Sequence, residues 1–370
     1  MASGPQLSAG PVVAGPVVAG QVVAGQVVRS APRPPVASGT RRRRLVALAV
    51  LFAALVVCCF ASVAVGAKEI GLGDVWKAFV DYTNTENDIV IMSLRLPRTA
   101  IGLLAGAALG LAGALIQGHT RNPLADPGLL GVNAGAALVV VIGIYVFGVT
   151  SLLGYVWFAF AGALAASVAV FMLGSMGRGG PTPVTLALSG AAVTAMLGAF
   201  TSAIILVDVQ TLDAYRFWAV GALAGRDAAV AGQVVWFIAL GMVIAFASAP
   251  ALNALALGDD VATSLGHNVR RTHITGVIAI TLLAGSATAA CGPIAFVGLV
   301  VPHLARTFTG PDFRWLLPVS ALVGAILLLT ADIVGRVVVR PSELQVGIVL
   351  ALVGGPFFVW LVRRRKMVQV

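Results

Sequence analysis

The 370-residue chain is 59% hydrophobic and only 10% charged, holds 43 glycines and has a mean hydropathy of +0.99. That balance excludes a soluble globular domain and predicts an all-α integral membrane protein, since the alternation expected of a membrane barrel is absent. The net charge of +10 would fit a nucleic-acid partner, but its distribution assigns it to loops on one side of a membrane.

Residues 1–40 are low-complexity, with "GPVVAGPVVAGQVVAGQVV" at 10–28 repeating every five residues. Pro and Gly recur too often there for helix or sheet, so a disordered cytoplasmic tail is expected, followed by a polytopic transmembrane domain over 41–370. Arg41, Arg42, Arg43 and Arg44 precede an apolar run too long for a signal-peptide core, and further spans follow it. An uncleaved first helix is therefore expected.

The coarse spans are 44–66, 99–117, 129–148, 152–174, 184–207, 232–250, 273–291, 293–305, 316–335 and 346–363, about ten transmembrane helices. Ten crossings put both termini on one side. With that side cytoplasmic, the inner segments hold 16 Lys/Arg and 4 Asp/Glu and the outer ones 8 and 10, as the positive-inside rule requires. A location in the cytoplasmic membrane follows.

In the second span Gly102, Gly106 and Gly110 share one helix face at small-xxx-small spacing, which predicts close helix packing. "LLAGAALGLAG" at 103–113 aligns with "LLAGSATAACG" at 282–292, an offset of 179 that also pairs Pro123 with Pro302. The first copy runs inward and the second outward, the pattern of an inverted internal repeat. "RNPLADPG" at 121–128 is a Pro-rich turn into the third span, open between a rigid loop and a gate. Gly292 and Pro293 interrupt the apolar stretch and leave the eighth span only 13 residues long. A broken helix is tolerated where protein or a water-filled cavity surrounds it, so Gly292 and Pro293, with Asn122 and Pro123, are the pathway or gate candidates.

Between the sixth and seventh spans lies "ALGDDVATSLG". Leu257, Val261 and Leu265 share one face of a short helix there. Asp259 and Asp260 sit in its first turn, where carboxylates oppose the helix dipole, and Gly266 is placed to stop it. Such a helix could lie at the lipid interface, but an acidic turn suits an anionic leaflet poorly, and docking onto another protein is the alternative. Asp332 is the acidic residue within the apolar spans, and Arg336 stands four positions on. A local i,i+4 pair is preferred to a proton relay there. Arg95 and Arg98, at the outer mouth before the second span, fit either interfacial snorkelling or capture of carboxylates.

Several chemistries are missing. The lysines are Lys68, Lys77 and Lys366 and none follows a glycine, so no GxxxxGK[ST] phosphate loop exists. No HExxH, GxSxG or paired intramembrane carboxylates occur, so the chain is not expected to be an enzyme. Cys58, Cys59 and Cys291 are taken as packing residues, and His119, His267, His273 and His303 form no ligand pair at helical spacing. No metal or other cofactor is expected.

Five stretches together resemble one family: "LRLPRT" at 94–99, "GALIQGHTRNPLADPGLLGVNAGA" at 113–136, "LGDDVATSLG" at 257–266, "CGPIAFVGLVVPHLAR" at 291–306 and "LLTADIVGR" at 328–336. They resemble the FecCD-type permease subunits of binding-protein-dependent ABC importers for iron-siderophores, haem and vitamin B12, over about residues 45–365. The resemblance implies a type II ABC importer permease architecture, paired as a homodimer or with a sister permease. Two separate ABC ATPase subunits would bind inside and a substrate-binding protein outside. It further implies that Asp259, Asp260, Ala262, Leu265 and Gly266 belong to a coupling helix that enters the ATPase, and that Arg95, Arg98 and Arg336 meet acidic residues of the binding protein. The expected cargo is a metal chelate, a ferric siderophore first. The competing expectation is a stand-alone ion-coupled secondary transporter that uses Asp332 and needs no ATPase.

Overall fold

The computed structural model describes residues 38–149, 151–176 and 182–364, and its compact unit starts at Arg42. Most of the tail expected to be disordered over 1–40 lies outside the described residues; the last three of its positions already belong to the first helix. Along the chain come α1 (Ser38–Ala64), α2 (Leu72–Val80) and α3 (Glu86–Ile89), the last running through a π-helical turn at Val90–Arg95 into α4 (Leu96–Thr120). A 3-10 turn at Pro127–Leu130 leads into α5 (Val132–Phe147), followed by α6 (Leu152–Ser175), α7 (Pro183–Val207), α8 (Val209–Ala219) and α9 (Ala228–Leu255). The rest is α10 (Asp259–Ser264), α11 (Val269–Cys291), α12 (Val297–Thr309), α13 (Phe313–Val338) and α14 (Val346–Arg364). No strand occurs among the described residues.

Every span expected from the sequence overlaps a helix, although the eighth, expected over 293–305, is helical only from Val297 on. Among the described residues 7 helices are long and apolar enough to cross a membrane, and α5 and residues Val346–Val359 of α14 are shorter apolar helices. With 13 residues, α12 rises only about 20 Å, less than a hydrocarbon core of about 30 Å.

Helix α4 is the axis of the bundle, buried along nearly its whole length and packed on α9, α11, α12 and α13. Its small residues are the cause. A Cβ on Gly106 would sit 2.5 Å from the Gly324 carbonyl oxygen, one on Gly110 would meet the Ser320 carbonyl, and one on Gly113 the Gly298 carbonyl. Backbone thus lies on backbone along α4, α12 and α13. In lipid, where no solvent drives apolar faces together, that close approach supplies the dispersion contacts that hold helices.

The two repeated segments fall in α4 and α11, which pack antiparallel: His119 near the end of α4 meets Thr272 in the first turn of α11. Their structures diverge at the matched glycines. Gly113 lies inside α4, whereas Gly292 ends α11 with φ +78 and its N–H donating to Thr288 O at 2.8 Å. The break is wider than the sequence indicates, residues 292–296, because Phe296 also adopts a left-handed conformation, φ +69, before α12 begins.

Candidate functional site

At one end of the bundle the last carbonyls of α1 have no helical partners, and arginines from elsewhere supply them. Arg95 donates through Nη1 to Val63 O at 2.8 Å and Ala64 O at 2.7 Å, and Arg336 donates through Nη1 to Ser62 O at 2.8 Å and Val65 O at 2.9 Å. Arg340 donates to Gly66 O at 2.9 Å. Guanidinium groups at a helix C-terminus both satisfy orphan acceptors and oppose the negative end of the dipole. Gly66 leaves the room: a Cβ there would stand 2.6 Å from Arg95 Nη2.

Asp332 joins this cap to α4. Its side chain is fully buried and its two oxygens are shared by Arg98, through Nε at 3.1 and 3.0 Å and Nη2 at 2.8 Å, and by Arg336 Nη2 at 2.9 Å. Arg98 Nη1 donates onward to Glu343 at 2.7 Å. The expected Asp332–Arg336 pair is present, with Arg98 as an additional partner. Both carboxylate oxygens are engaged by guanidinium N–H groups, which is the environment of a structural counter-ion. Arg95, Arg98 and Arg336 converge on one cavity of about 340 Å³, which Lys68 and Glu343 also line. With Glu343, the buried Asp332 and the Glu86 partner of Lys68 all counted, the four cations still leave a positive excess. Arg340 and Glu343 were not anticipated from sequence, although the charged stretch between the ninth and tenth spans was an available signal for them; Ser62, inside the first span, carried none.

The opposite end carries α10. Gly258, φ +115, starts the helix and Gly266, φ +83, follows its end, both in backbone conformations that favour glycine. Ala262 is fully buried on its underside. Of the expected apolar face only Val261, 43% exposed, lies within α10, because Gly258 breaks the helical path before it; Leu257 and Leu265, 66% and 61% exposed, flank the helix on either side. The two aspartates differ. Asp259 is paired with Arg121 Nη2, while Arg121 Nε donates to Leu255 O at 2.9 Å, so the left-handed residue that ends α4 holds both ends of the turn into α10. Asp260 is exposed and makes no ion pair with any described residue. Arg121 carried no sequence signal, being 138 positions from its partner.

A buried polar hub links α4 to the break. Gln117 Nε2 faces the carbonyls of Ala125, Leu299 and Gly298 at 3.3, 3.4 and 3.5 Å, and its Oε1 accepts from Arg306 Nη1 at 2.6 Å. The "RNPLADPG" segment therefore does not stay at the surface. Asn122 is exposed, its Oδ1 accepting from Leu124 N at 2.9 Å, but Ala125, Pro127 and Leu130 are buried, and Pro127 packs on Gly298 two residues beyond the break. Gly292 and Pro293 pack instead on the segment after α8, where Ala222 N donates to Cys291 O at 2.7 Å. The four gate candidates thus lie on two connected elements rather than at one point. His119 and His273, apart in sequence, have ring centroids 5.6 Å apart, and both ring nitrogens of His119 face carbonyls, Leu115 O at 2.9 Å and Thr272 O at 3.1 Å.

Comparison with known proteins gives a consistent answer. Residues 54–364 match the model of the FecCD transport family. The ferric enterobactin transport system permease protein FepD of Escherichia coli (strain K12) is 47% identical over 322 residues, 87% of this chain and 96% of that one. The iron(3+)-hydroxamate import system permease protein FhuB of Bacillus subtilis (strain 168) is 40% identical over 324 residues, 86% of this chain and 84% of that one. Among solved structures, an inward-facing conformation of a metal-chelate type ABC transporter superimposes with a TM-score of 0.76 at 27% identity, covering 87% of this chain and 100% of the other.

Proposed function

This chain belongs to the FecCD transport family, and we propose that it is the permease subunit through which a ferric siderophore is imported while separate subunits hydrolyse ATP. Family members are transport permeases, so the chain is a multi-pass protein of the cell membrane and not itself an enzyme. The cargo assignment is supported by relatives named for ferric enterobactin and for iron(3+)-hydroxamate. Ten crossings, with both termini and α10 cytoplasmic, agree with the positive-inside distribution.

The observation that carries the partner assignment is the α10 segment: a short helix with Val261 uncovered on it, Leu257 and Leu265 uncovered on either side, and an Asp260 carboxylate without an ion pair among the described residues, held to α4 through Arg121. Exposed apolar side chains on and beside a charged helix are suited to a groove on another protein. Two ATPase subunits would each receive one α10 from a pair of permeases. Movement of α10 would pass through Arg121 to the end of α4 and through Gln117 to the 121–131 segment and α12, so that Asn122, Pro123, Gly292 and Pro293 shift with the gate. At the arginine end, acidic side chains of a substrate-binding protein would enter the 340 Å³ cationic cavity.

The test is purification of the tagged chain in mild detergent with mass spectrometry of its companions. An ATPase recovered in a two-to-two complex supports the reading. A chain that transports in vesicles without any ATPase overturns it.

A further inference from the structure

Beside α10, between α9 and the start of α11, lies a cavity of about 530 Å³ that no role described so far uses. One wall is apolar: Val243, Ala247 and Ala251 of α9. The other is polar: His267 from the turn after α10, and Arg271 and Thr275 from the first turns of α11. No carboxylate lines it. The hydroxyls of Ser248, Thr272 and Thr275 all donate to backbone carbonyls, at 2.7 to 3.0 Å, so the side-chain donors left for a ligand are the Arg271 guanidinium, the His267 imidazole and the Asn268 amide. Arg271 makes no ion pair with any described residue and is exposed.

The apolar wall continues beyond the cavity. Trp236, Leu240 and Val243 are 76%, 53% and 65% exposed, and with Ala247 they repeat at helical spacing along one side of α9. From Ala247 to Trp236 the stripe runs roughly 16 Å along the helix, away from α10. A free cation at one end of a long lipid-facing apolar track matches a ligand with an anionic head and a hydrocarbon tail.

We propose that this cavity binds one anionic membrane phospholipid, its phosphate on Arg271 and an acyl chain along the Val243–Trp236 stripe of α9. A basic recess between helices at the level of the headgroups is the chemistry that selects anionic lipid. Free phosphate would use the guanidinium and leave the apolar wall and stripe unoccupied. An acidic side chain from a protein bound at α10 would do the same. The bound lipid would abut the turn that joins α10 to α11, so the composition of that leaflet would bear on the element assigned to energy coupling. The inference goes beyond the importer reading and needs only that the chain spans a membrane.

The experiment titrates the full chain in mild detergent with phosphatidylglycerol or phosphatidylcholine and counts retained lipid by native mass spectrometry. The expected result is one phosphatidylglycerol held about tenfold more tightly than phosphatidylcholine, the scale of one charge-assisted contact. Arg271→Gln should bring the two lipids to parity, and Ala247→Trp, which fills the apolar wall without touching charge, should release phosphatidylglycerol. Melting curves of both variants should match the parent, and Ala251→Leu fills the same wall should Ala247→Trp fail to fold. Equal retention of the two lipids by the parent chain would overturn the proposal, as would a preference that survives Arg271→Gln. Loss with Arg271→Gln but not with wall filling, together with competition by inorganic phosphate, would make it a simple anion site. Loss only on addition of a protein partner would make it part of a protein interface. Neither ATPase nor chelate enters the titration, so its failure leaves the importer reading untouched.

Discussion

Arg98 and Asp332, 234 positions apart in sequence, meet across the α4–α13 interface with Arg98 Nη2 2.8 Å from one carboxylate oxygen and Nε within 3.1 Å of both. Arg336 shares the same carboxylate at 2.9 Å and ties it to the end of α1. One buried anion is therefore shared by two guanidinium groups that three helices bring together, with Glu343 as the second counter-charge on Arg98. Desolvation makes such a cluster a costly construction whose parts depend on one another.

Removing the anion should consequently act through the fold. Asp332→Asn leaves Arg336 buried without its counter-charge and Arg98 with Glu343 alone, at a cost of about 3–5 kcal/mol. The expected outcome is a large drop in the detergent melting temperature, read by size-exclusion fluorescence, with transport lost in proportion to folded chain. A variant that melts like the parent yet transports nothing would instead point to ion coupling at Asp332.

The adjacent acids of α10 should behave differently from each other. Asp259 is spent on Arg121 in a partly exposed pair, and Asp259→Asn should cost no more than about 1 kcal/mol of stability. Asp260 makes no ion pair with any described residue, so Asp260→Lys should leave melting unchanged and abolish recovery of the ATPase with the tagged chain. Normal co-purification after Asp260→Lys would remove α10 from the coupling interface.

How much of this was legible in the sequence follows from the range of each interaction. The small-residue face of α4 and the Asp332–Arg336 pair are set by residues three to four positions apart, and helical periodicity reveals them; the same periodicity overextends α10, which Gly258 starts only at Asp259. The capping of α1 by Arg95 and Arg336, the Arg121–Asp259 pair and the Gln117 hub join segments far apart in the chain, and nothing local marks them. The width of the break after α11 was hidden too, because the left-handed residue that extends it is Phe296 rather than a glycine. For the same reason Arg95 and Arg98 read as surface cations, whereas both are buried and occupied by internal acceptors.

Close backbone packing makes a sharp prediction at α4. Gly110→Ala sets a methyl group against the Ser320 carbonyl, where no flexible side chain can yield, and should destabilise by about 1–3 kcal/mol. Gly198→Ala on α7 meets nothing within 4 Å and gains helix propensity, so it should melt at or slightly above the parent. Equal melting of the two variants would mean that α4 and α13 separate freely and that the glycine face does not hold them.

The docking role assigned to the arginine end needs a variant that spares the internal caps, and Lys68 provides it. Lys68 lines the same cavity as Arg95, Arg98 and Arg336, but its side chain is 43% exposed and, among the described residues, pairs with the exposed Glu86 alone. Lys68→Glu should leave melting unchanged while weakening capture of the substrate-binding protein. The loss should be larger at about 0.01 M salt, where charges act over about 30 Å, than at about 0.15 M, where they act over about 8 Å. Reversal of Arg95 or Arg98 would confound this comparison, because each would also strip α1 or Asp332 of its partner. A docking constant that ignores Lys68→Glu at both salt concentrations would confine this cluster to holding α1, α4 and α13 together.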